Sequence, residues 1–178
     1  MNGSKSNTFL ISVMGLDRVG VVSAVTSYLF EIGANLADSA YAVLGKGFEF
    51  SCVAEFEAAG AAEEVEDGLK SLELLAGARI SVTPFQFDLV HGESGRITHT
   101  VEITGGDRPG LVARVSEVLV DYGANIVRMS SRRTASDEGF DYRTRFAINV
   151  EGARLDALKN ALSNTAGSMR LNCSLEAV

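Results

Sequence analysis

The chain has 178 residues, room for one large domain or two small ones, and its 46% apolar and 22% charged content is that of a folded globular protein. A net charge of −7 argues against direct nucleic-acid binding, which needs a basic footprint, and no apolar run is long enough to predict a membrane span. The N-terminal segment MNGSKSNTFL lacks the apolar core of a secretory signal, and two cysteines far apart with two histidines predict neither a zinc site nor a disulfide framework. The expectation is a cytoplasmic protein without metal or cofactor.

The sequence repeats itself. Residues 14–35 and 104–125 align without a gap at an offset of 90, and ten of the 22 positions are identical. Two homologous domains are predicted, 1–90 and 96–178, joined by the polar linker 91–95.

In chain order, Phe9, Ile11 and Val13 alternate with Leu10 and Ser12 as in a half-buried strand. The turn Gly15-Leu16-Asp17-Arg18-Val19-Gly20 follows. Val22, Val25, Leu29 and Ile32 then recur at helical spacing, and Gly33 stands where a helix takes a left-handed terminal residue. A second strand runs from Asn35 to Leu44. The third puts Phe48, Phe50, Cys52, Ala54 and Phe56 on one face. A second helix carries Val65, Leu69 and Leu72, with the acids Glu63, Glu64, Glu66 and Asp67 on a solvated face. Ile80 and Val82 mark the last strand.

The second half repeats this order. His99, Val101 and Ile103 form its first strand, and Gly105-Gly106-Asp107-Arg108-Pro109-Gly110 its turn. Val112, Val115, Leu119 and Tyr122 mark the first helix, with Gly123 at its end. Strand two spans Asn125 to Thr134. Strand three turns Tyr142, Thr144, Phe146, Ile148 and Val150 inward, and Leu155, Leu158 and Leu162 lie on the second helix. Met169, Leu171, Cys173 and Leu175 are predicted as the last strand. The order βαββαβ, twice, predicts an α+β protein of two ferredoxin-like domains, each an antiparallel four-stranded sheet with helices on one face. The other face stays open, so copies are expected to pair through sheet edges or helices.

The turn is the part suited to chemistry. Its glycines permit a tight bend and a close ligand, and the helix behind it presents amides and a positive dipole end to a carboxylate or phosphate. Pro109 fixes its own backbone angle. Asp17 and Asp107 either receive an ammonium group or cap their helices. A β-α-β return would carry Asn35 and Asn125 next to the turns. Cys52 and Cys173 are read as buried, His99 as packed and hydrogen-bonded, and His91 as solvated. Arg128, Arg132, Arg133, Arg143 and Arg145 gather on strands two and three of the second half, either as an anionic docking patch or as a solvated face paired with Asp137, Glu138 and Asp141. No Ser–His–Asp set, paired catalytic carboxylates or G-x-x-x-x-G-K-[ST] loop occurs, so no catalytic residue is assigned.

The D-R-x-G turn, the apolar helix, the Gly-Ala-Asn that follows and the next strand resemble the ACT domain, a ferredoxin-like module that senses amino acids; the resemblance covers both halves. Two such domains with nothing else attached, and the segment Asn35-Leu36-Ala37-Asp38-Ser39 followed by Leu44-Gly45 and Phe48, resemble the glycine cleavage system transcriptional repressor family. The resemblance implies a non-enzymatic regulator of glycine or a similar small amino acid, with Gly15, Asp17, Arg18, Gly20 and Asn35, and Gly105, Asp107, Arg108, Pro109, Gly110 and Asn125, at the ligand. It implies a DNA-binding transcriptional activator as protein partner, with a homodimer as one assembly. A stand-alone ACT dimerisation or interaction module regulating a metabolic enzyme is the alternative. Val19 departs from the family's Pro, and neither Gly15 nor Gly105 is the His found in several amino-acid-binding relatives.

Overall fold

A computed structural model describes residues 7–57, 62–137 and 139–178. Residues 1–6, 58–61 and 138 lie outside the described residues. The chain divides into two compact units, residues 1–89 and 90–178.

In the first unit, β1 (Thr8–Leu16), α1 (Val21–Glu31), β2 (Ala34–Leu44), β3 (Gly47–Phe56), α2 (Ala62–Lys70) and β4 (Arg79–Pro84) follow one another. In the second, β5 (His99–Gly106), α3 (Leu111–Asp121), β6 (Asn125–Ser136), β7 (Gly139–Asn149), α4 (Leu155–Ser168) and β8 (Asn172–Ala177) do the same. The sheet orders are β2-β3-β1-β4 and β6-β7-β5-β8, with every adjacent pair antiparallel. These are two ferredoxin-like βαββαβ units, as the alternation of periods two and 3.6 predicts.

Alternation decides which face of each sheet meets the helices. Phe9, Ile11 and Val13 of β1 and Phe48, Phe50, Cys52, Ala54 and Phe56 of β3 join Val21, Val25, Leu29, Val65 and Leu69 in one core. Val101, Ile103, Phe146 and Ile148 do so with Leu111, Val115, Leu119, Leu158, Leu162 and Ala166 in the other. The buried helical stripe therefore begins one residue earlier than predicted, at Val21 and Leu111. Val22 and Ile32 are exposed, while Val112 and Tyr122 only flank their core. The reason is the turn, which fixes the first helical residue against the sheet; every fourth residue then follows it inward.

Three other expectations are corrected. Leu72 lies beyond α2, before a 3-10 turn at Glu73–Leu75, because the first unit's second helix is shorter than α4. Met169 caps the end of α4 instead of opening the last strand. Cys52 is buried, but Cys173 is only half-buried, since β8 is a sheet edge with a neighbour on one side. Burial pushes the Cys52 thiol up to about 11 and raises that of Cys173, so both are poor nucleophiles near neutrality.

The sheet faces turned away from the helices differ. In the first unit this face carries Leu10, Met14 and Val53, and in the second it carries Glu102, Arg128, Arg143 and Arg145. Among the described residues Glu102, rather than Asp137 or Asp141, is the acid that pairs with both Arg143 and Arg145; the expected pairing of Glu138 lies outside the described residues. The two guanidinium groups hold the Glu102 carboxyl below its ordinary range, the nearer Arg145 contributing most. Residues 93–96 are tied to the second unit, because Asn125 Nδ2 donates to Ser94 O at 2.8 Å and Asn149 Nδ2 to Arg96 O at 2.7 Å.

Helix packing in the first unit hinges on a glycine. A Cβ at Gly68 of α2 would fall 1.7 Å from the Tyr28 hydroxyl and 2.4 Å from Cζ of its ring on α1. In an open helix Gly→Ala stabilises by about 1 kcal/mol. Here overpacking reverses the sign, and Gly68→Ala is expected to destabilise by about 1–3 kcal/mol in urea unfolding. In a Tyr28→Ala background the same change is expected to be neutral or stabilising.

Candidate functional site

Both D-R-x-G segments form the same turn. The Val21 amide donates to Arg18 O at 3.4 Å, and the Leu111 amide to Arg108 O at 3.3 Å. Gly20 has φ 94° and ψ −4°, and Gly110 has φ 82° and ψ 1°. Those angles are what the third residue of a type II turn requires, and only glycine holds them cheaply. Pro109 occupies the second position, where its ring presets the bend; in the first unit Val19 stands there, fully exposed. The helices start at once, with Ala24 N donating to Gly20 O at 2.8 Å and Arg114 N to Gly110 O at 3.0 Å.

The aspartates do not cap these helices: each N-cap is the glycine itself, and no side chain caps either end. They face strand two instead. The Tyr41 hydroxyl donates to Asp17 Oδ1 at 2.7 Å, and its ring stacks on Phe48. Arg133 Nε approaches Asp107 Oδ2 at 3.3 Å, while its guanidinium lies 3.7 Å over the Phe140 ring. Each turn is thus strapped to its sheet by a side chain from β2 or β6. An incoming ammonium group would share its aspartate with that donor.

Gly15 and Gly105 serve packing. A Cβ on Gly15 would meet Ala78 Cβ at 3.0 Å and Phe48 at 3.2 Å. Gly105, at φ 147°, would meet Leu171 Cδ2 at 2.6 Å. The side chain is missing because the run into the last strand crosses there.

Asn35 and Asn125 are not brought to their own turns. Asn35 pairs with Glu55, which pairs with Thr8 at the start of β1, whereas Gly15 lies at its end. From Thr8 to Gly15, at about 3.3 Å per residue, is roughly 23 Å. Strand two runs parallel to strand one, so the helix returns the chain to the opposite end of the sheet. Asn35 instead lines a groove of about 460 Å³ with Asn7, Phe30 and Phe56. Asn125 spends its amide on Ser94 O.

At the second turn the structure adds residues that the sequence analysis did not single out. Arg108 and Pro109 line a groove of about 370 Å³ with Arg114, Ser168, Met169 and Arg170. Arg114 stands where the first repeat has Ala24, a difference visible in the alignment. Arg170 lies outside the aligned block. His99 is half-buried with Nδ1 3.0 Å from Thr98 Oγ1, and His91 is exposed. Among the described residues, no three His, Cys, Asp or Glu side chains gather as a metal site, and no helix is long and apolar enough to cross a membrane.

The Tyr41–Asp17 contact has a pH signature. The hydrogen bond to Asp17 is the main cause that raises the Tyr41 hydroxyl above its ordinary value. A folded-state value above the unfolded one means that the contact is complete below about pH 10 and lost as the pH climbs through the raised value. Site-resolved NMR titration of Tyr41 is expected to show the elevated value, and Asp17→Asn to bring it back toward about 10.

Comparison with known proteins now finds the fold and the turn together in one family. Profiles described as ACT domain match residues 7–83 and 99–167. Among solved structures, an unknown protein from Galdieria sulphuraria is 26% identical at a TM-score of 0.74, covering 97% of this chain and 98% of its own. A second, whose description proposes a glycine cleavage system transcriptional repressor, is 18% identical at a TM-score of 0.66, covering 96% of each chain. No curated protein matches the sequence. Two βαββαβ units, each with the D-R-x-G turn ahead of its first helix and each matched by the family's profile, place the chain in the ACT domain family as a tandem, non-catalytic regulatory module.

Proposed function

We propose that this chain is a sensor of a small amino acid that regulates a protein partner, either a metabolic enzyme or a transcription factor. The observation that carries the reading is the turn itself, built with the same angles and backbone hydrogen bonds in both units ahead of an uncapped helix. Such a turn suits a ligand carboxylate, because the first-turn amides and the helix dipole point toward it. The second turn is the better formed, since Pro109 stiffens it and Arg108 opens onto a groove. Asp107 lies beside it for an ammonium group, shared with Arg133.

Repression of glycine cleavage genes is the narrower reading. It is supported by the full-length likeness to the structure described as such a repressor and by the arrangement of two ACT units. In that reading the chain blocks a DNA-binding activator by contact. It does not touch DNA itself, in keeping with its net charge of −7.

The test is a thermal-shift and calorimetric screen of the common amino acids on the whole chain. One small amino acid is expected to stabilise the protein by about 2.7 kcal/mol at a hundred times its Kd. Gly110→Val, which forces a β-branched residue into a left-handed turn, is expected to abolish that binding, with Gly20→Val doing less. If no amino acid binds, the sensor reading fails. In a mobility-shift assay the chain alone is expected to leave duplex DNA unmoved; a shifted, sequence-dependent band would overturn the partner-mediated reading.

A further inference from the structure

We infer that the groove beside the second turn is a site for a compact dianion, a phosphate monoester or a dicarboxylate, rather than for a neutral zwitterion such as glycine. The inference rests on this turn being a ligand turn, but not on the ligand being an amino acid.

Three arginines carry the argument. Arg108 comes from the turn, Arg114 from the first turn of α3, and Arg170 from just beyond the end of α4, and all three line one groove of about 370 Å³. Among the described residues, no carboxylate pairs with any of them. The nearest acid along the chain, Asp107, is already engaged by Arg133. Three like charges in one groove repel one another, and two of them, Arg108 and Arg114, stand at the positive end of a helix, where cations are disfavoured. The three are exposed and solvent screens their repulsion, but a multiply charged anion in the groove is attracted by all of them at once, and guanidinium forks match phosphate and carboxylate oxygens.

Arg170 adds an independent sign. α4 ends in a Schellman motif, with Leu171 N donating to Ala166 O at 2.9 Å and Arg170 N to Gly167 O at 3.0 Å. The residue between must be left-handed, and α1 and α3 put Gly33 and Gly123 in that place. Arg170 takes it with φ 58°, the one non-glycine with positive φ among the described residues. In the first unit the matching position is Gly77, φ 78°, since Ala78 crosses Gly15 as Leu171 crosses Gly105. The first unit thus has Arg18, Ala24 and Gly77 where the second has Arg108, Arg114 and Arg170. One guanidinium has become three, and one of them sits where helix termination alone favours glycine.

A bland reading assigns Arg170 to the negative carbonyl end of α4, which a cation suits. That leaves Arg108 and Arg114 unexplained, and it predicts the opposite result below.

The test is calorimetry of the whole chain in low-salt, phosphate-free buffer with inorganic phosphate, succinate and glycine as probes. Phosphate or succinate, or both, are expected to bind with an affinity that falls as salt is added, and glycine to bind more weakly; the tighter of the two dianions tells a phosphate ester from a dicarboxylate. Arg114→Ala and Arg170→Gly each install the first unit's residue, so both are expected to fold, and each is expected to weaken dianion binding at least tenfold. Arg170→Gly is also expected to raise Tm by about 4 °C without ligand, because strain is relieved. A Tm that falls in Arg170→Gly, as a purely structural arginine predicts, or dianion binding unchanged in both variants, would overturn the proposal. If glycine binds as tightly as either dianion and is indifferent to both substitutions, the dianion site fails while the amino-acid sensor stands. If nothing binds, both fail.

Discussion

The left-handed glycine at the third place of each D-R-x-G turn is the constraint on which the rest of each unit depends. Gly20 and Gly110 reverse the chain within one residue, so the helix begins immediately and in a fixed phase. Val21 and Leu111 are therefore the first residues to face the sheet, and Val25, Leu29, Val115 and Leu119 follow at intervals of four. Both cores grow from that phase. A side chain at either glycine would strain the backbone at the point where strand and helix are joined. The same reversal starts a helix with no side-chain cap, an arrangement that suits an anion.

Each unit then steadies its turn by a different chemistry. Tyr41 donates to Asp17 in the first, and Arg133 pairs with Asp107 in the second, each backed by an aromatic ring, Phe48 or Phe140. The donors are not at matching repeat positions. The residue matching Tyr41 is Ser131, whose hydroxyl lies 3.0 Å from that of Thr144. The first strap is a neutral hydroxyl, whereas the second turn is held by one arginine and lines a groove with three others. The turn geometry is kept in both copies while the side chains that hold it differ.

Much of this was legible in the sequence. The gapless repeat gave the element order, and the alternation in β1, β3, β5 and β7 named the buried face correctly. The Schellman glycines Gly33 and Gly123 marked where α1 and α3 stop. Three features were not legible, each for a physical reason. The distance from Asn35 to its turn depends on strand direction, and spacing along the chain does not show that the crossover ends at the start of β1. The partners of the aspartates were hidden because they differ in type and position between the repeats: Ser131 stands where the first repeat has Tyr41, and Arg133 where it has Val43. Arg170 lies past an α4 longer than α2, beyond the aligned block, so only the packing of Leu171 on Gly105 reveals that it matches Gly77.

The central claim is that the second turn is where this protein meets its small-molecule ligand. Backbone amide NMR of the whole chain, titrated with glycine, phosphate and succinate in turn, tests it most directly. The account predicts shifts that saturate together at residues 108–114 and 168–170, with the amides of residues 18–24 moving less. Saturable shifts confined to the groove at Asn35 and Phe30, or to the first turn alone, would contradict it.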